Sequence, residues 1–242
     1  MKTRFSRFSL FPRKKGSLVS DPKSEYEEIV STILKKIPRT VLGKSAILEM
    51  KDEGSRNWRQ MEWIGFWFEH FISKNLPSYE FDSENQFGKT KFDLSRDFLW
   101  DLKAHPNQVD KLILNDRDAI QTCLLQRGGL GFIILSGDVV YDESGEFKTW
   151  HDNLKGGVST YEHERVSRKA PSRKRKISFT PTSIEGFWFN SFSQIEDCIN
   201  TGVMGEFQKG MRNSNGVARN SKIIINKFHE LNTFSLGSVP FH

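Results

Sequence analysis

Apolar positions along the chain repeat with two periods, and the changes of period mark the elements. In residues 24 to 37, "SEYEEIVSTILKKI", Tyr26, Ile29, Ile33 and Leu34 fall at helical spacing, with Ser24 as an N-cap and Pro38 as a stop. Residues 58 to 77, "WRQMEWIGFWFEHFISKNLP", predict the strongest helix. Met61, Ile64, Phe68, Phe71 and Ile72 form one stripe, and Trp63, Phe66 and Trp67 cover most of the rest. A helix apolar nearly all round is buried. "FGKTKFDL" and "FLWDLKAH" are strand-like and read as a hairpin joined by Ser95, Arg96 and Asp97. "KLILN", residues 111 to 115, is a candidate third strand. Asn115 and Asp118 give an N-cap signature before "AIQTCLLQ", and Gly128 and Gly129 end that helix. "LGFIILSG" is the continuous apolar run of a fully buried strand, and a helical crossover before it makes it parallel to the sheet.

Beyond Asp138 the pattern breaks up. "YDESGEFKTWHDNLKGG" predicts turns and short strands, and "ISF" and "GFWFNSF" predict two more strands. Ser193 and Glu196 form a capping box for a short helix that stops at Gly202. A polar, basic loop, "MRNSNGVARNSK", leads into a strand at Ile223 to Ile225. No repeat or low-complexity linker divides the chain. The expectation is an α/β fold: a basic flexible arm over 1 to 24, then one domain over 25 to 242. Its core spans about 58 to 136, and a β-rich, irregular elaboration spans about 138 to 242.

Composition narrows the partner. The 242 residues carry a net charge of +6, which favours a polyanion, nucleic acid before membrane. The aromatic content of 12% fills a core and excludes a chain disordered throughout. Cys123 and Cys198 make neither a disulfide framework nor a zinc site, so a reducing, cytoplasmic compartment is expected. No apolar run approaches the roughly 20 residues of a membrane span, and the first residues lack a signal-peptide core.

The charges in "KFDLSRDFLWDLKAH" need a reason, because charge inside an apolar strand costs free energy unless it is paired. Alternation puts Leu99, Asp101, Lys103 and His105 on one face, expected to be wet. Phe98, Trp100, Leu102 and Ala104 take the core face. A loop of odd length brings Asp93 of the first strand to the face of Asp101. Glu62 and Glu69 sit seven residues apart on the apolar helix, about 20 degrees out of alignment. Gly65 between them is expected to admit another backbone. Carboxylates beside one lysine suit Mg2+, which takes oxygen ligands and activates water for phosphodiester hydrolysis.

Asp93 followed by "DLK" at 101 to 103 resembles the Asp…(Asp/Glu)-x-Lys signature of the PD-(D/E)XK nuclease superfamily. The order of helix, hairpin, helix and strand is similar to its αβββαβ core, a mixed sheet flanked by helices, over roughly 58 to 136. Phe92 stands where the superfamily's name has proline, and the spacing of eight between the aspartates is short. The resemblance implies Asp93 and Asp101 as metal ligands, Lys103 as the catalytic lysine, and Glu69 or Glu62 as the helix acid. It is closest to a type II restriction endonuclease, and so implies a homodimer cutting double-stranded DNA at a short palindrome.

For DNA contact the candidates are Lys155, Arg165, Arg168, Arg173, Lys174, Arg175, Lys176, Arg212 and Arg219, by phosphate more than by base. The asparagines at 213, 215 and 220 either read adenine or build a plain turn. His151 and Asp152 read as a surface or DNA-contacting loop, and His105 as a partner for a neighbouring acid. Two rival readings share the composition: a structure-selective repair or junction-resolving nuclease, and a non-catalytic DNA-binding protein in which Asp101 and Lys103 are an exposed ion pair of little worth.

Overall fold

The computed structural model describes residues 21–81, 92–170, 174–213 and 216–241. The fold is mixed α/β. In chain order its elements are α1 (Pro22–Lys36), β1 (Val41–Leu42), α2 (Gly43–Asp52), a 3-10 turn (Arg56–Arg59), α3 (Trp63–Asn75), β2 (Glu80–Phe81), β3 (Leu94–Ser95), β4 (Leu99–Pro106), β5 (Leu112–Asp116), α4 (Arg117–Arg127), β6 (Leu130–Tyr141), α5 (Glu146–Leu154), α6 (Thr160–Ser167), β7 (Lys176–Phe189), α7 (Phe192–Asn200), β8 (Met204–Phe207), β9 (Lys222–Ile225) and β10 (Ser235–Pro240).

The larger sheet runs β1-β7-β6-β4-β3-β2, with β10 also on β7. β2, β3 and β4 pair antiparallel, and β6 then lies parallel to β4, Trp100 beside Gly131. A parallel neighbour needs a crossover, and β5 and α4 provide it. The smaller sheet runs β5-β9-β8. Two apolar clusters sandwich the larger sheet. One holds Tyr26, Ile29, Ile47, Trp63, Phe68, Trp100, Leu102, Ile133 and Ile184, from α1, α2, α3 and one face of the strands. The other holds Leu112, Ile120, Phe132, Ile134, Phe189, Ile195 and Ile223, from α4, α7, the smaller sheet and the opposite face. β6 is buried from Leu130 to Gly137 because it faces both clusters, as its unbroken apolar run requires.

Several expectations are corrected. "KLILN" forms β5 in the smaller sheet; the meander's first strand is β2, before the hairpin. Phe192 begins α7, while "ISF" and the "GFWF" of "GFWFNSF" belong to one strand, β7, which takes in Pro181 at a register shift between Ser136 and Gly137. Such a bulge tolerates a residue without an N–H. The turns expected at 141 to 157 include helix α5, with Phe147 and His151 inward. Asp21, not Ser24, caps α1, and Leu34 is exposed while Val30 is buried. Asp116 stands at the N-cap of α4 in place of Asn115. The capping box of α7 is Ser191 with Gln194, not Ser193 with Glu196. The arm expected over 1 to 24 lies outside the described residues up to 20, and residues 22 to 24 are helical. Residues 87 to 91 of the first hairpin strand also lie outside them. Among the described residues no helix is long and apolar enough to cross a membrane.

The Trp100 ring occupies the space over Gly131 of β6. A methyl group on Gly131 would lie 2.1 Å from its ring. Gly131→Ala should therefore destabilise the fold by about 1–3 kcal/mol through overpacking, read as a lower urea midpoint. An unchanged midpoint would show that the strand gives way freely there.

Candidate active site

The β3–β4 turn is Arg96, Asp97 and Phe98, three residues long. Leu94 pairs with Trp100 and Ser95 with Leu99. The next step of that register carries Asp93 to the position opposite Asp101. Leu94 and Trp100 point into the first core cluster, and alternation turns both aspartates to the other face. That face is not wet. Leu99 and Phe92 pack on the second cluster, and Asp101 is only 1% exposed and Asp93 8%. The expected solvated face is covered because α4, α7 and the smaller sheet close over it.

Asp93 does not continue the ladder. Its Oδ2 accepts the backbone N–H of Leu102 at 2.8 Å, so a carboxylate stands where a strand partner would. Asp101 Oδ2 lies 2.5 Å from Lys103 Nζ and accepts no other hydrogen bond among the described residues. Asn115 Nδ2 reaches Asp101 Oδ1 at 3.5 Å. Asn115 was expected as a helix cap; no periodicity in "KLILN" marks it for this place.

α3 brings Glu69 to the same group. Burial pushes the Glu69 carboxyl up to about 7; Lys103 opposes that shift and Asp101 adds to it. Asp93 is pushed well above the usual carboxylate range, by burial first and then by Asp101 and Glu69, against the pull of Lys103 and the Leu102 N–H. Burial works against the charge on Lys103, but Asp101, Asp93 and Glu69 outweigh it, and its pKa rises. Three carboxylates thus face one ammonium. Like charges in a buried site do not all ionise unless a proton or a further cation neutralises them.

The donor set fits a hard divalent ion. It is all oxygen, it is short of positive charge by about two if every carboxylate ionises, and Asp101 Oδ2 has no partner beyond Lys103. The carboxylates are not drawn into a closed cage. Among the described residues, the set whose ligand atoms all lie within 4.8 Å of one another is Glu49, Glu53 and His70. There Lys74 Nζ already sits 2.7 and 2.6 Å from the two glutamates.

Glu62 does not join. It is the N-cap residue of α3 and pairs with Lys176, about two helical turns from Glu69. Among the described residues no backbone approaches Gly65, where an added Cβ would meet nothing within 4 Å. His151 is no surface residue: its Nε2 lies 2.9 Å from the Trp58 carbonyl oxygen, and burial lowers its pKa to about 4. His105 is buried against Phe228 and, chiefly by burial, also has its pKa lowered.

Many of the cations proposed for DNA contact are engaged within the fold. Lys155 is 2.7 Å from Asp152, and buried Arg165 is 2.6 Å from Glu162. Buried Arg175 stands 3.6 Å from Asp152, and exposed Lys174 pairs with Glu143. Arg168 donates to the Glu164 carbonyl. Arg173 lies outside the described residues. Arg212 and Arg219 are exposed on the β8–β9 connection.

Glu25 was missed. It is completely buried, accepting the Trp100 indole N–H at 3.0 Å and the Asp97 N–H at 3.3 Å. Burial raises its pKa, against the Trp100 hydrogen bond and the nearby Arg96 guanidinium. So α1 clasps the turn that sets the aspartates. The signal was an acid on the inward stripe of α1, four residues before Ile29.

Comparison with protein-family models, with curated proteins and with solved structures found no match.

The raised pKa values set a pH dependence. Between about pH 4.5 and about pH 7 the folded state holds a proton on Glu69 that the unfolded chain has lost, so stability falls as pH rises through that window. Lys103→Ala removes the ammonium that opposes the upward shifts of Glu69 and Asp93, and so pushes those two carboxyls higher. Its cost should be larger near about pH 8, at roughly 3–5 kcal/mol, than near about pH 5, where Glu69 and Asp93 carry protons, by urea unfolding. Equal losses at both pH values would show that Lys103 does not neutralise the group.

Proposed function

We propose that the chain is a magnesium-dependent endonuclease acting on double-stranded DNA, built on a PD-(D/E)XK-type core. The observation that carries the reading is the meeting of buried Asp93 and Asp101 with half-buried Lys103 and Glu69, in a group with more carboxylate than cation. Further support comes from the succession α3, β2, β3, β4, α4, β6. It has the αβββαβ order once β5 is set aside, with Asp101 on β4, Asp93 immediately before β3 and the glutamate on the preceding helix. The chain's positive balance agrees with a polyanionic substrate.

Asp93, Asp101 and Glu69 would hold the magnesium ion. When bound, it supplies a Lewis acid for a phosphoryl oxygen and lowers the pKa of a water. The side chains do the rest. The Leu102 N–H fixes the orientation of Asp93. Asn115 steers one oxygen of Asp101 and leaves the other to Lys103. The upward shift of the lysine favours stabilisation of developing phosphate charge over proton abstraction from water. A proton on Glu69 near neutral pH is available to leave as a cation enters. Site-specific cutting by a homodimer, as in type II restriction, is the form of this activity that the likeness favours.

Plasmid DNA with magnesium or with chelator tests the reading. Magnesium-dependent cutting is expected, with discrete bands if the enzyme is site-specific. Asp101→Asn should lower the cutting rate by about 100-fold or more, because it removes a charge at the reacting centre while keeping its shape. Its circular dichroism and DNA affinity should remain near the parent's. A folded Asp101→Asn protein that cuts as fast as the parent would refute the assignment.

A further inference from the structure

The connection from β8 to β9 is a second small ribbon. Arg212 and Ala218 form an antiparallel bridge. The Asn213 N–H donates to the Val217 carbonyl at 2.8 Å, and the Arg219 N–H to the Met211 carbonyl at 2.9 Å. The Asn213 side chain accepts the Val217 N–H at 2.9 Å, and Arg212 Nη1 donates to the Gly216 carbonyl at 2.6 Å. Asn213 therefore builds the turn. Asn220 is also committed, donating to Asp116 Oδ2 at 3.1 Å, and Asn215 lies outside the described residues. What the two arms offer outward is Arg212 and Arg219, with Met211 50% and Val217 60% exposed.

Charge and position give this ribbon a partner. From residue 208 to residue 221 the chain has Lys209, Arg212 and Arg219 and no acid. Among the described residues no carboxylate lies at ion-pair distance from Arg212 or Arg219, unlike buried Arg165 and Arg175. The root of the ribbon is tied to the candidate active site. Lys222 Nζ is 2.6 Å from Asp116 Oδ1, and the Arg117 N–H donates to the Ser221 carbonyl at 2.8 Å. Asp116 follows Asn115, whose side chain reaches Asp101. Two antiparallel arms held by a bridge are of a size that the major groove of about 12 Å admits.

We propose that the two arms of this ribbon, 208–213 and 216–221, form the element that enters a groove of duplex DNA beside the cutting site. Arg212 and Arg219 meet phosphate or guanine edges, and Val217 and Met211 meet thymine methyl groups. The proposal rests on the nuclease reading for its substrate and goes beyond it in naming the surface.

Arg212→Ala with Arg219→Ala tests it, because both side chains are exposed and the β8–β9 pairing does not use them; Arg219→Ala alone, which keeps the Arg212 hydrogen bond to the Gly216 carbonyl, should show about half of the change in salt slope. Binding to a fluorescent duplex of about 30 base pairs is measured in chelator, so that no cutting intervenes, at several salt concentrations. The double variant should bind at least about tenfold more weakly, and its slope of log affinity against log salt should flatten by about 2. A variant that matches the parent in affinity and slope overturns the ribbon and leaves the nuclease reading untouched. A parent that does not bind duplex DNA overturns it also. Plasmid cutting is scored separately: a protein that binds through the ribbon and never cuts keeps this proposal and loses the nuclease.

Discussion

Three carboxylates act on one ammonium at the place where β4 loses β3 as its partner. That imbalance is the constraint on which the rest depends. β3 pairs with β4 for two residues only, at Leu94 and Ser95. Beyond them Asp93 takes the Leu102 N–H on its own carboxylate, and the ladder ends in a charged group. A solvated site would screen that charge. This one is covered by the second apolar cluster, so its protonation is coupled to whatever else enters. In the proposed function, proton, lysine and magnesium would compete for the same oxygens.

The supports around the group serve its shape. The odd-length β3–β4 turn puts Asp93 and Asp101 on one side of the sheet. Glu25 holds that turn from α1, accepting from both Trp100 and Asp97. Trp100 in turn lies against Gly131, so β6 and β4 approach closely beside Asp101. Close packing and burial are thus neighbours of the candidate site.

Much of this could be read from the chain, for identifiable reasons. Alternation has a period of two, so one apolar residue on the core face assigns the face of its neighbours; Trp100 and Leu102 placed Asp101 and Lys103. The apolar run of β6 marked a strand buried on both sides. What covered the other face was hidden, because α7, β8 and β9 come from distant sequence and no local pattern says where they fold back. Glu62 and Glu69 looked equivalent by spacing alone. The start of α3 at Trp63 separates them by making Glu62 a capping position, and helix starts are poorly specified when no Ser, Thr or Asn marks them. β7 was hidden by its own Pro181, and α5 by the Gly and Asp residues that precede it. The basic run looked free because its partners, Glu62, Glu143, Asp152 and Glu162, are carried by other elements.

The central claim is that a divalent cation replaces protons held by the carboxylate group. Calorimetric titration with manganese in two buffers of different ionisation enthalpy counts the protons released on binding. Near about pH 6.5, below the raised pKa of Glu69, about one proton or more should leave per ion bound by the parent, and Asp101→Asn should abolish the binding. Binding without proton release, or binding that survives Asp101→Asn unchanged, would contradict the account.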